Sequence, residues 1–143
     1  MMKTQPIVSL VVTISLSGVC ALAQADVVVV VGAKSNVGEL TQSQVSDLYL
    51  GRTKRFPSGG IALPTVVGNG SLKDEFFEKV LGKTDSQTRS VWARLTFTGG
   101  GTVPKEVSDS NEVKKLATNN PNVIGFIDKS AVDAQVKVVY VVP

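Results

Sequence analysis

The sequence predicts an α/β fold: one mixed sheet with flanking helices, a three-layer arrangement. Three observations carry this expectation. The longest apolar strand-like runs, 27–31 and 136–142, stand near the two ends of the segment 26–143, and the first is β-branched on both faces. Between them, segments with apolar residues at helical spacing alternate with short strand-like runs. Capping residues and glycines mark the joins.

Taken in order, Val27-Val28-Val29-Val30-Val31 ends at Gly32 and reads as a buried central strand. A polar loop, 33–39, leads to a helix start at Leu40-Thr41-Gln42-Ser43-Gln44-Val45. There Thr41 and Gln44 suit a capping box, and Leu40 can pack on Val45. This helix is expected to bury Val45, Leu48 and Tyr49 and to stop at Gly51. A basic turn, 52–60, precedes a second strand, 61–67, in which Pro64 argues for an edge or a bulge. Gly68-Asn69-Gly70-Ser71 then turns into a helix with the apolar stripe Leu72, Phe76, Phe77, Val80 and Leu81, ended by Gly82.

Thr84 or Asp85 caps the next helix, with Val91, Trp92 and Leu95 as its expected core residues. A glycine-rich loop, 98–102, follows. Asp109 or Ser110 caps a further helix around Val113, Leu116 and Ala117, which closes at Asn119-Asn120-Pro121. Two final strands, 123–127 and 136–142, flank a turn at 128–132.

The chain has 143 residues, 43% hydrophobic and 19% charged, which suits one domain and is too short for two full ones. Lys and Arg number 15 against 12 Asp and Glu, a formal net charge of +3. Only Arg52, Lys54 and Arg55 cluster, so nucleic acid is not an expected partner. Residues 1–25 open with Lys3, pass through the apolar stretch 7–12 and end at Ala23-Gln24-Ala25, the pattern of a secretory signal peptide. Cys20 is not a lipoprotein site, because Val19 stands where a small residue would precede the cysteine. The expectation is cleavage after Ala25 and a single exported domain, 26–143, in the periplasm or secreted.

Cleavage removes Cys20, the sole cysteine, and the chain has no histidine. Disulfides, thiol nucleophiles, Ser-His-Asp triads and His- or Cys-based zinc sites are thereby excluded from the exported chain. The expectation is a binding protein rather than an enzyme, with no catalytic residues, metal or cofactor.

The most specific local signal is the turn 68–71 before an amphipathic helix. Glycines allow a tight turn, and the first helical amides point outward with the positive end of the helix dipole behind them. An oxyanion can be held by Asn69, Gly70, Ser71, Leu72 and Lys73, using the amides of the last three, the Ser71 hydroxyl and the nearby Lys73 charge. The plainer alternative, Ser71 as an N-cap and the glycines as a turn, stays open. The spacing is not that of a nucleotide P-loop. Gly100, Gly101 and Thr102 form a second candidate loop, with a plain helix-terminal loop as the alternative. The basic turn at Arg52, Lys54 and Arg55 reads as solvated, and Phe56 and Trp92 read as core. Asp74 and Glu75, adjacent on a helix, face different directions and do not make an acid/base pair.

The succession of motifs resembles the phosphate-binding components of bacterial ABC-type phosphate importers. It runs Leu40-Thr41-x-x-Gln44-Val45-x-Asp47-Leu48-Tyr49-Leu50-Gly51, Gly70-Ser71 with Phe77 following, Trp92 with its glycine-rich loop, and Asn120-Pro121-Asn122-Val123-Ile124-Gly125-Phe126-Ile127. The similarity spans 27–142. It implies one lobe of a type II periplasmic-binding-protein fold, whose usual members close two lobes on the anion. It further implies phosphate or a similar oxyanion as ligand, a membrane transporter as partner, and Gly70 and Ser71 as the matching loop residues.

Two positions depart from the family pattern. Leu72-Lys73 replaces the usual Gly-Thr after the serine, and Val67 stands where an arginine is usual. Loss of that arginine removes a bidentate phosphate contact. The function expected is an exported solute-binding protein, with a homodimer supplying the missing wall. The alternative is a lobe that has lost its ligand and serves an envelope protein complex as an interaction module.

Overall fold

The computed structural model describes residues 26–101 and 103–143. The expected signal peptide, 1–25, and Thr102 lie outside the described residues. Five strands form one sheet: β1 (Val27–Gly32), β2 (Leu63–Val67), β3 (Lys105–Val107), β4 (Val123–Asp128) and β5 (Val136–Val141), in the order β3-β2-β4-β1-β5. β2 runs parallel to both of its neighbours, whereas β1 is antiparallel to β4 and β5, so the sheet is mixed as expected.

Four helices accompany the sheet: α1 (Gln42–Tyr49), α2 (Ser71–Phe76), α3 (Asp85–Thr98) and α4 (Ser110–Asn119). α2 continues without a break through a π-helical turn, Phe77–Leu81. Helices lie on both faces. On one, Phe76 of α2 stacks on Phe126 with ring centroids 4.1 Å apart, and Tyr49 of α1 meets Phe76 edge-on at 4.8 Å. On the other, α4 approaches so closely that a Cβ on Gly125 would meet the Val113 side chain, and one on Gly32 the Ala117 carbonyl. Successive residues of a strand face opposite sides, so Gly125 and Phe126 mark the two packed faces. Every residue of β1 is buried because both faces are covered.

The local signals act as their chemistry dictates. Thr41 accepts the Gln44 amide at 3.2 Å while the Gln44 side chain accepts the Thr41 amide at 2.9 Å, closing the capping box of α1. Thr84 and Gln87 repeat the device at α3. Gly51 ends α1 at φ 73°, a conformation that favours glycine. The Trp92 indole donates to the Tyr49 carbonyl at 2.9 Å, satisfying a helix-end acceptor. The Tyr49 hydroxyl donates to the Thr65 carbonyl at 2.8 Å, tying α1 to β2. Burial pushes its pKa far above the ordinary phenol value, so it remains a donor.

Several expectations are corrected. β2 is an interior strand, not an edge, and it carries no bulge against its neighbours. Pro64 is tolerated because β3 pairs with β2 only from Thr65 onward, leaving β2 locally one-sided at the proline. Val91, Leu95 and Leu116 are only partly buried. The last turns of α3 stand out from the body, leaving Phe97 94% exposed. β3 has no counterpart in the sequence analysis. It is three residues long with only Val107 buried, too short to show a period.

Candidate functional site

The parallel strands β2, β3 and β4 direct their C-terminal ends to one end of the sheet. From β2 the chain passes through 68–70 into α2, on the Phe126 face. From β3 it passes through Ser108 and Asp109 into α4, on the opposite face. Adjacent strands whose connections leave to opposite faces open a crevice between them, the usual ligand position in open α/β sheets. The Gly68 amide donates to the Val107 carbonyl at 2.9 Å and fixes the start of the loop at that crevice.

Gly70, not Ser71, is the N-cap of α2. Its φ of 94° and ψ of 179° fall in a region reserved for glycine, and no side chain caps the helix. The amides of Ser71, Leu72 and Lys73 are the first three of the helix and have no intrahelical acceptor. Asn69, Gly70 and Ser71 are exposed, so the loop presents these donors on an open surface.

Lys73 differs from expectation. Its ammonium is nearly buried and lies 3.0 Å from Asp85 Oδ1, 3.5 Å from the Gly68 carbonyl and 5.9 Å from the Phe77 ring centre. The charge is engaged by Asp85 rather than free for a ligand. The hydrogen bond from Lys73, with further help from Arg89, holds the Asp85 carboxyl below the usual carboxylate range. Arg89 in turn lies 3.1 Å from Asp85 Oδ2 and 3.9 Å from Glu106 Oε1. The Glu106 carboxylate occupies the space that a Cβ on Gly68 would need. Two cations and two carboxylates thus alternate beside the loop and cancel. What the loop offers an anion is backbone N–H groups, not net charge.

Gly100 and Gly101 are not part of this site. They precede β3, which runs parallel to β2, so they lie at the opposite end of the sheet from Ser71. The Gly100 amide donates to the Leu95 carbonyl at 3.2 Å, and Gly101 packs near the Leu95 side chain. Thr102, the third member, is outside the described residues. Sequence reasoning misplaced the loop because β3 was invisible to it. For the same reason it missed Glu106, Ser108 and Asp109 at the crevice.

The second helix start there is internally satisfied. Asp109 accepts the Glu112 amide at 2.9 Å, and Glu112 accepts the Ser108 amide at 2.8 Å and hydroxyl at 2.6 Å. Those bonds from Ser108 hold the Glu112 carboxyl below its ordinary pKa. Phe56 and Trp92 are core, as expected. In the basic turn Arg52 pairs with Asp47 at 3.2 Å and Arg55 donates to the Gly59 carbonyl at 3.0 Å, on the side where β2 begins. Among the described residues no cluster of three or more His, Cys, Asp or Glu is arranged to hold a metal ion.

The sheet order, the crevice and the flanking helices together define one lobe of a type II periplasmic-binding-protein fold. Solved structures share it. One is a Clostridium perfringens protein described as a phosphate ABC transporter substrate-binding protein with bound phosphate, 24% identical with a TM-score of 0.61, covering 80% of this chain and 44% of that one. An ABC-type phosphate transport receptor from Vibrio cholerae is 21% identical with a TM-score of 0.59, covering 80% of this chain and 45% of that one. PstS from Borrelia burgdorferi is 11% identical with a TM-score of 0.57, covering 80% and 46%. The chain therefore spans less than half the length of these structures. No family model and no curated protein matches it. Among the described residues, no helix is long and apolar enough to cross a membrane.

Proposed function

We propose that this chain is an exported solute-binding protein of the phosphate-binding class, which holds phosphate or a similar oxyanion at the 68–71 loop and the start of α2. One observation carries the reading: Gly70, in a glycine-only conformation, presents three uncapped amides at the switch point between β2 and β3. The solved structures of like fold support it, since their descriptions name phosphate and its transport. Binding rests on the amides of Ser71, Leu72 and Lys73 and on the Ser71 hydroxyl. With no arginine fork and with Lys73 engaged by Asp85, the affinity is modest, and a membrane transporter is the partner this class implies. The open surface at Ser71 calls for a second wall, which a second copy of the chain supplies.

A second reading draws on the same ion network. A lobe whose loop-side cations Lys73 and Arg89 are both matched by carboxylates suits docking within an envelope complex better than tight anion capture. Calorimetric titration of residues 26–143 with phosphate and with sulfate separates the two. Solute binding predicts saturable heat that Ser71→Asp abolishes, because the new carboxylate takes the place of the anion. A folded protein giving no heat at millimolar phosphate supports the docking module instead. Gel filtration with and without phosphate tests the second copy, and a monomer throughout would remove it.

A further inference from the structure

We infer that the end of the sheet opposite the Ser71 loop holds a separate ligand site, a cavity that takes an amphiphilic monocarboxylate. The cavity measures about 290 Å³, close to the roughly 300 Å³ at which small-molecule sites begin. Its walls are Leu63 and Pro64 of β2, Val103 before β3, Leu116 of α4 and Val123 of β4.

Two independent observations point to a ligand. The first is incomplete burial of apolar side chains. On α4, Val113 and Ala117 are buried against the sheet, yet Leu116 between them stays partly open, as does Val103, and Leu63 is 39% exposed. These three side chains line one concavity, leaving apolar surface that a short hydrocarbon chain would cover. The second observation is polar. Lys105 is the single charged residue of the lining, beside the side-chain amides of Asn119 and Asn120. It is exposed and, like most Lys and Arg among the described residues, forms no ion pair, so its ammonium is available to a ligand in the cavity. Glu112, which feels the Lys105 charge, is already bound to Ser108. An apolar wall with one unmatched ammonium and two amides selects a short apolar chain ending in a carboxylate.

The probes are octanoate and its uncharged counterpart octan-1-ol, titrated into 15N-labelled residues 26–143. Octanoate should shift the amides of Val103, Lys105, Leu116 and Val123 saturably, with no change at Ser71. Leu116→Trp, which fills the cavity, should weaken both probes at least tenfold in a protein that still melts cooperatively. Val103→Trp makes the same test from the loop if the helix variant does not fold. Lys105→Gln should weaken octanoate about fivefold and leave octan-1-ol unchanged. No saturable shift up to the solubility limit, or binding that survives the filling variants, would overturn the site. Equal losses of both probes in Lys105→Gln would overturn its preference for a carboxylate. Ser71→Asp should leave octanoate binding intact, so this site and the oxyanion site fail separately.

Discussion

Two helices begin at the same crevice and solve the same problem in opposite ways. The start of α4 is closed: Asp109 takes one amide, and Glu112 reaches back to the amide and hydroxyl of Ser108. The start of α2 is open: Gly70 replaces any capping side chain, and three amides point out unpaired. Helix stability alone would favour a side-chain cap at α2, by about a few tenths of a kcal/mol over glycine. An uncapped start in a glycine-only conformation at a strand switch point is the pattern expected where a ligand completes the helix. The pair of carboxylates at α4 keeps anions off that neighbour, so position on the sheet alone does not make a site.

The contrast can be broken at its strongest point first. Gly70→Ala forces a side chain into φ 94° and should cost about 1–3 kcal/mol of stability, read by urea denaturation, together with most of the phosphate response. Asp109→Ala should cost about 1 kcal/mol through loss of the α4 cap and leave phosphate binding unchanged. If that variant instead weakened phosphate, the closed start would be part of the site.

Acid titration sharpens the electrostatic side. Asp85, Glu112, Asp128 and Asp133 all have folded pKa values below their ordinary ones, each chiefly through a side-chain hydrogen bond, from Lys73, Ser108, Ser130 and Lys114 respectively. A depressed folded pKa contributes stability above the unfolded value and loses it as pH falls through the folded one. The melting temperature should therefore be flat above about pH 5 and fall below about pH 4, near the unfolded carboxylate values. Asp133 is exposed and the other three are half-buried with solvent access, so each contribution is small. The smallest effect tests the matched charges. Asp85→Asn should release the Lys73 ammonium toward the loop and tighten phosphate about threefold in calorimetry.

Much of the fold was legible in the sequence. Five valines in a row require a strand covered on both faces, and Thr41 with Gln44, and Thr84 with Gln87, write their capping boxes into the chain. The amphipathic stripe of Phe76, Phe77, Val80 and Leu81 predicts the buried face, although its spacing does not distinguish the α turn from the π turn that follows. The site was legible only in part. Gly70 and Ser71 announce an unusual helix start by residue type alone. The pairing that sets their surroundings runs through Lys105-Glu106-Val107, whose three residues show no pattern. Without β3, Gly100 and Gly101 could not be assigned to an end of the sheet, and Asp85 could not be seen as the partner of Lys73.

The central claim is that the open start of α2, and not the closed start of α4, receives an oxyanion. Phosphate titration followed by 1H–15N correlation spectra tests it residue by residue. The amides of Ser71, Leu72 and Lys73 should shift downfield and saturate together, while those of Ser110, Asn111 and Glu112 stay in place. Saturable shifts confined to the α4 amides, or none at either helix in a folded protein, would contradict it.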